Sequence, residues 1–424
     1  MKILISAYSC EPNKGSERGL GWNVAREVAK YHQVWVLTRP DESREAIEAE
    51  LAKNPCANLN FVYFTLPFWQ DSLRWGQSGA MQIHYYLWQI QAYFVAKKLH
   101  REINFDVLHH VTFVKYSSPS FLSLLTPPFI WGSVGGGETA PPQFWRDFSS
   151  PNRLYEILRL TARWLGERDP FTQMTARRSA IAYATTEDTA RQVRNLGASC
   201  VRIASETALT QQEIKRLAQF SPPPTQPLRF VGIARLLHWK GTYLGLRAFA
   251  QANLPDAEYW VLGDGAEMER LQELVWNLEI GDEPKAPLCD EAPPPLRDRV
   301  KFWGLLPREE VLVKLEQCSV LVHPSLHDSG GWVCLEAMAA GRPVICLDLG
   351  GPAAQVTTET GFKIPAHNPE QTVTAIAEAM ATLAKDPSLA GQMGRAGQQR
   401  VRELYSWSVK GKQISQAYSE VVAR

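Results

Sequence analysis

The stretch His323-Pro324-Ser325-Leu326-His327-Asp328-Ser329-Gly330-Gly331-Trp332-Val333-Cys334-Leu335-Glu336-Ala337-Met338-Ala339-Ala340-Gly341-Arg342-Pro343-Val344-Ile345 decides the fold of this 424-residue chain. An apolar strand ends at His323 and a polar turn holds Asp328. Ser329 or Gly330 is placed to cap, and the spacing predicts a helix from about Gly331 to Ala340 that Gly341 stops. A new apolar run opens at Pro343. Strand, turn, helix and strand in that order are the repeating unit of a parallel sheet. The turn also has chemical meaning. A helix starting at a strand end exposes N–H groups whose partial positive charge favours a diphosphate, and glycine at 330 and 331 lets a ligand come close. Glu336, about one and a half turns into the helix, is placed to accept hydrogen bonds from a neutral diol.

Outward from this stretch the alternation continues in both directions. Strand-like apolar runs fall at residues 3–7, 33–37, 59–64, 106–110, 128–131 and 181–185, and again at 228–233, 259–262, 300–303, 319–323 and 343–346, with helix-length sequence between them. The two series are parted by Ser221-Pro222-Pro223-Pro224-Thr225-Gln226-Pro227, too rich in proline for a helix or a central strand. The expected architecture is α/β: two Rossmann-like, doubly wound domains facing across a cleft. Residues 1–205 form the first, 206–227 the linker and 228–405 the second, with residues 406–424 a helix that crosses back to the first. Ligands of open parallel sheets bind at the carboxyl ends of the strands, so the chemistry is expected between the domains. Residues 281–297 lack any period and read as an exposed insertion.

Length and charge agree with this division. A chain of 424 residues suits two domains, and Lys+Arg at 45 against Asp+Glu at 44 excludes a nucleic-acid coat as the expected partner. The seven cysteines are scattered and never spaced C-x-x-C, which predicts neither a disulfide framework nor a zinc site. No run reaches the ~18 apolar residues of a membrane span, and the first residues turn polar at Cys10-Glu11-Pro12 before a signal core forms, so a cytoplasmic setting is expected.

Four further stretches carry candidate chemistry. Phe230-Val231-Gly232-Ile233-Ala234-Arg235-Leu236-Leu237-His238-Trp239-Lys240-Gly241 places Arg235 and Lys240 at a strand end. Two fixed cations beside a helix N-terminus stabilise the charge that grows on a departing diphosphate. Asp106-Val107-Leu108-His109-His110-Val111-Thr112 ends a strand in two histidines whose side chains point to opposite faces, so one of the two is expected to meet the cleft. Trp131-Gly132-Ser133-Val134-Gly135-Gly136-Gly137-Glu138-Thr139 also ends a strand, and three consecutive glycines are too costly in backbone entropy to be filler. Residues 66–100 hold Phe68, Trp69, Trp75, Tyr85, Tyr86, Trp88, Tyr93 and Phe94, followed by Lys97, Lys98, His100 and Arg101. That composition suits a sugar-stacking surface or a peripheral contact with anionic lipid at the inner face of the plasma membrane, with most of the helix in the core.

The Asp328 to Glu336 stretch resembles the nucleotide-sugar motif of the retaining family 4 glycosyltransferases (glycosyl transferases group 1), whose fold is GT-B. Their motif is two glutamates with seven residues between them. Glu336 matches the second, which the resemblance assigns to the nucleotide ribose; Asp328 stands at the first, keeping the charge and shortening the reach toward a sugar hydroxyl. The resemblance implies that Arg235 and Lys240 grip the donor diphosphate. It implies a donor-binding set of Gly15, Ser16, Arg235, Lys240, Asp328, Ser329, Gly330, Gly331, Trp332 and Glu336. Gly15 and Ser16 come from the loop Ser9-Cys10-Glu11-Pro12-Asn13-Lys14-Gly15-Ser16-Glu17-Arg18-Gly19-Leu20-Gly21-Trp22, which is similar to the family's first loop and does not fit the dinucleotide fingerprint. A family histidine near the reacting carbon corresponds to His109 or His110, with the choice open. Glu17, Gly136, Gly137 and Glu138 fall on the acceptor side, with Glu11 and Arg18 as further contacts.

The implied activity is transfer of a sugar from a UDP- or GDP-linked donor to an acceptor hydroxyl, on a glycan or glycolipid of cell-surface polysaccharide. Anomeric configuration is kept, and neither metal nor cofactor is needed. Two alternatives stand beside it: a nucleotide-sugar epimerase of the same fold, and a protein that binds nucleotide sugar without turnover.

Overall fold

In the computed structural model, which describes residues 1–41, 43–69, 79–281 and 294–423, the strands form two parallel sheets. The first holds β1 (Lys2–Ser6), β2 (Gln33–Thr38), β3 (Leu59–Tyr63), β4 (Val107–His110), β5 (Phe129–Val134), β6 (Ser179–Ala184) and β7 (Val201–Ile203), in the spatial order β3-β2-β1-β4-β5-β6-β7. The second holds β8 (Leu228–Ile233), β9 (Ala257–Leu262), β10 (Val300–Gly304), β11 (Val320–His323), β12 (Val344–Leu347) and β13 (Gly361–Ile364), ordered β10-β9-β8-β11-β12-β13. Each sheet reverses its order beside its first strand, the doubly wound topology.

The continuous apolar runs are explained by burial on both faces. In the second sheet the alternation is complete. Phe230, Tyr259, Val261, Val322 and Ile345 enter one core, while Val231, Trp260, Leu262, Leu321 and Val344 enter the other. In the first sheet Leu4, Leu108, Phe129 and Trp131 pack with Trp88 and Ala92 of the helix Gly79–Ile103. Trp75 and Cys289 lie outside the described residues, as does most of the 281–297 insertion.

Two strands escape the sequence pattern. β7 is a three-residue edge strand with Ile203 exposed, and β13, Gly-Phe-Lys-Ile, opens on glycine and carries a lysine. Neither offers the apolar run that marks the others.

The chain divides into two compact units: Met1–Gly137, Glu156–Ala208 and Trp407–Arg424 in the first, Glu138–Tyr155 and Leu209–Ser406 in the second. The proline run at 221–227 is therefore not the boundary. The chain changes unit at Ala208, and the helix Gln211–Leu217, started by a reciprocal Thr210–Glu213 capping box, already belongs to the second. The proline run is stitched to that unit by the Ser319 hydroxyl, which donates to the Pro224 carbonyl at 2.6 Å. Residues 138–155 also depart from the expected 1–205 domain. Ala140, Phe144 and Phe148 are buried in the core around Phe230 and Leu244, and burial of these apolar side chains ties the segment to the second unit. The helix Trp407–Ala423 packs in the first unit against the helix Ser16–Val28, where Gly411 sits so close that an added Cβ would lie 2.7 Å from Glu27.

Candidate functional site

The strand ends of the second unit bring their charged residues together. β11 ends at His323, and its loop passes Asp328 before the helix Trp332–Ala339 begins; β8 ends at Ile233, and its loop turns through Leu237 to Lys240. The two loops touch at Gly241, whose φ of +67° and closeness to Pro324 admit only glycine: a Cβ there would lie 2.0 Å from the Pro324 carbonyl oxygen. Lys240 Nζ thereby reaches Asp328 Oδ2 at 2.6 Å, and His323 Nε2 donates to the same oxygen at 3.1 Å. Asp328 Oδ1 accepts the N–H groups of Gly330 at 3.2 Å and Gly331 at 3.3 Å. Burial opposes ionisation of Asp328, but the hydrogen bond from His323 and the charge of Lys240 outweigh it and hold the carboxyl far below the usual carboxylate range.

The sequence predicts that Asp328, Lys240 and the N–H groups at 330 and 331 each face a donor. In the folded unit they satisfy one another. Gly331, at φ +72°, is the N-cap residue and, as a glycine, caps the helix with no side chain of its own. Ser329 and Trp332 are half-buried beside it. Arg235 differs from Lys240: it is exposed, and among the described residues its guanidinium meets neither a hydrogen-bond partner nor an ion-pair partner.

Glu336 is 7% exposed and pairs through Oε1 with Arg308 Nη1 at 2.6 Å. Burial pushes its carboxyl above the usual range, and the Arg308 guanidinium pulls it only part of the way back. Arg308, at the start of the helix Arg308–Glu316, also donates to Glu213 at 2.9 Å. Sequence reading missed Arg308, since nothing in its own neighbourhood points to a glutamate so far along the chain. It also missed a stack of three rings beside the charge cluster: Tyr155 on Trp239 at 5.3 Å and 10°, and Trp239 on His327 at 5.2 Å and 15°. Aromatic residues next to a polar loop were the available signal.

The first unit treats its candidates differently. Gly15 and Ser16 are exposed at the start of the helix Ser16–Val28, and a Cβ on Gly15 would meet nothing within 4 Å. Glu17 is turned inward, where its carboxylate accepts the Phe113 N–H at 3.0 Å; burial raises its pKa against the pull of that hydrogen bond and of Lys115. Glu11 pairs with Arg18 at 2.9 Å. Gly136 follows a bridge between Lys115 and Gly135, and Gly137 donates its N–H to the Thr189 hydroxyl at 2.9 Å. Glu138 is buried and falls in the second unit.

The expectation that one of the two histidines faces a ligand is corrected. His109 is 3% exposed, held by the Tyr418 hydroxyl at 2.7 Å and the Gly132 carbonyl at 2.6 Å; His110 is 1% exposed, with the Tyr85 hydroxyl and the Gln89 amide each at 3.2 Å. They do point to opposite faces, but a helix covers each face. Burial lowers them to about 4 and about 3. Among the described residues no His, Cys, Asp or Glu cluster is gathered to hold a metal ion, and no helix is long and apolar enough to cross a membrane.

Residues 227–386 match the family described as glycosyl transferases group 1, a segment that contains Arg235, Lys240, Asp328 and Glu336. A D-inositol 3-phosphate glycosyltransferase of Streptomyces avermitilis is 34% identical over 125 residues, 29% of this chain and 26% of that protein. The match thus spans about a quarter of that curated relative's length. Among solved structures, a sucrose-phosphate synthase from Thermosynechococcus elongatus superposes with a TM-score of 0.64 at 18% identity, covering 100% of this chain and 99% of that one. Anabaena Alr3699/HepE, solved in complex with UDP and glucose, superposes with a TM-score of 0.58 at 17% identity, covering 99% and 100%. At these identities the likeness is one of fold, and the fold is GT-B.

Proposed function

We propose that the protein is a group 1 glycosyltransferase that moves a sugar from a UDP- or GDP-linked donor to an acceptor hydroxyl on a glycan or lipid-linked saccharide. The observation that carries this reading is Arg235, an exposed and unpartnered cation among the described residues, on the same loop after β8 as Lys240 of the Lys240–Asp328–His323 cluster and within the group 1 segment. The structure bound to UDP and glucose supports the choice of donor class.

In this reading Arg235 takes the diphosphate and Lys240 exchanges part of its pairing with Asp328 for the developing phosphate charge. Glu336, whose Oε1 is held by Arg308, receives the ribose hydroxyls. As the glycosidic bond breaks, its electron pair leaves with the phosphate oxygen. The acceptor oxygen bonds to the anomeric carbon on the same face, and its proton passes to that phosphate oxygen, so configuration is kept. The first unit offers Gly15 and Ser16 to the donor phosphates and, with Glu17, Gly136 and Gly137, holds the acceptor. Protein cations carry the charge in place of a metal, and chelation with EDTA is expected to leave the rate unchanged.

A second reading has a specific observation behind it. Asp328 is engaged on both oxygens and occupies Lys240, which suits a protein that binds nucleotide sugar and does not turn it over. Thermal shift with UDP, GDP and their sugars tests binding, since a ligand of the folded state raises the midpoint. A shift is expected with one of them and is expected to vanish in Arg235→Ala; no shift with any nucleotide sinks both readings. Release of nucleoside diphosphate with an acceptor pool then separates transfer from binding alone.

A further inference from the structure

We propose that the outward face of the helix Ser150–Arg168, over the part from Glu156 onward that belongs to the first unit, docks on an anionic lipid bilayer. The helix is inside out. Its polar positions at helical spacing turn toward the protein: Glu156 is fully buried and pairs with Arg159 at 3.2 Å, and Arg163 donates to the Tyr116 hydroxyl at 3.0 Å and the Gly137 carbonyl at 2.7 Å. Gly166 packs so tightly that an added Cβ would lie 2.2 Å from the Ser117 carbonyl oxygen. The opposite side carries Ile157, Leu158, Trp164 and Leu165, each between 51% and 60% exposed. An ordinary surface helix shows the reverse arrangement, and an apolar stripe of this length left in water marks a contact.

The patch continues onto neighbouring elements. The Tyr86 hydroxyl donates to Asp169 at 3.0 Å, and the Phe121 ring touches both Tyr86 and Phe171, which joins this helix end to the helix Gly79–Ile103 with its exposed Ile83 and Phe94. The sequence assigned membrane contact to residues 66–100; the apolar stripe at 157–165 lies on a different helix.

Charge selects the occupant. Within the first unit, residues 79–137 and 156–178 hold 9 Lys and Arg against 5 Asp and Glu, an excess of four in a chain whose whole excess is one. Arg168 lies over the Trp164 ring at 3.8 Å, and Arg177, Arg178, Lys97, Lys98 and Arg101 are exposed on the adjoining helices. Hydrocarbon beneath anionic headgroups complements an apolar stripe edged by cations, whereas a second copy in a two-fold contact would set these cations against their own kind.

Flotation of the full chain with vesicles tests the surface, using phosphatidylcholine alone and phosphatidylcholine mixed with phosphatidylglycerol. Binding is expected to the mixed vesicles, to weaken with salt, and to fall about tenfold in L158E/L165E. That variant is expected to keep its circular dichroism melt, because both side chains already face solvent. The proposal is overturned if the wild-type chain does not float with the mixed vesicles, or if the variant floats as well as wild type. It is also overturned if sedimentation without lipid shows a wild-type dimer that the variant breaks, which would assign the face to a second copy.

Discussion

β4 of the first unit and β11 of the second hold the same place, beside the first strand of their sheets where the order turns, and both end in histidine. The two histidines meet different fates. His110 is closed into the core by Tyr85 and Gln89 of the helix Gly79–Ile103, while His323 hands its Nε2–H to Asp328 in the loop beyond. The difference lies in what comes after the strand. In the second unit two loops converge at Gly241 and Pro324 and gather charge past the strand end. In the first unit the equivalent polar groups sit within the strand, where long helices cover both faces. Two units of one topology thus place a histidine at one position and use it once for packing and once for wiring a charged loop.

The largest expected break of this contrast comes from Asp328→Ala. It leaves Lys240 without its counter-charge and frees the Gly330 and Gly331 N–H groups, so urea unfolding of the second unit is expected to lose about 4 kcal/mol. Titration calorimetry of the same variant should show donor affinity reduced at least about tenfold. Asp328→Asn, which can still accept the turn hydrogen bonds, should fall between the two.

Acid should distinguish the units next. The folded first unit holds His109 at about 4, below its ordinary 6.5, so below about 6.5 the unfolded chain takes up a proton that the folded chain refuses. The stabilisation is complete above pH 6.5 and is lost as pH falls toward 4, on the order of 3 kcal/mol from His109 alone. His110 acts in the same direction. Replacing His109 by Phe should flatten the unfolding profile across that window; an unchanged profile would mean that the ring is not buried as neutral imidazole.

The smallest effect concerns the partner found only in three dimensions. Arg308→Ala strands the buried Glu336 carboxylate and is expected to cost about 2 kcal/mol. Adding Glu336→Gln should recover part of that loss, since the uncompensated charge is removed with it. Strict additivity in this double-mutant cycle would show that the two side chains do not interact.

Much of the fold was legible because buried parallel strands are continuous apolar runs, and residues 228–233, 259–262 and 319–323 announce themselves that way. β7 and β13 did not, since short edge strands carry too few buried positions to leave a pattern. The helix predicted from about Gly331 to Ala340 stands at Trp332–Ala339. The proline run misled the reading of the boundary because proline signals only that regular structure is interrupted, which happens inside a unit as readily as between units.

For the candidate site, local sequence determined which residue types stand at which strand ends: Arg235 and Lys240 after β8, Asp328 and Glu336 after β11, the histidine pair on β4. Backbone periodicity suffices for that, because strand and helix repeat over a few residues. Only the tertiary structure decided their condition. Whether a charge is without a partner among the described residues like Arg235, spent like Lys240 on Asp328, or held like Glu336 by Arg308 depends on atoms far away in sequence. Electrostatic pairing and desolvation act through space, and no local pattern records which chain segment will come to lie alongside.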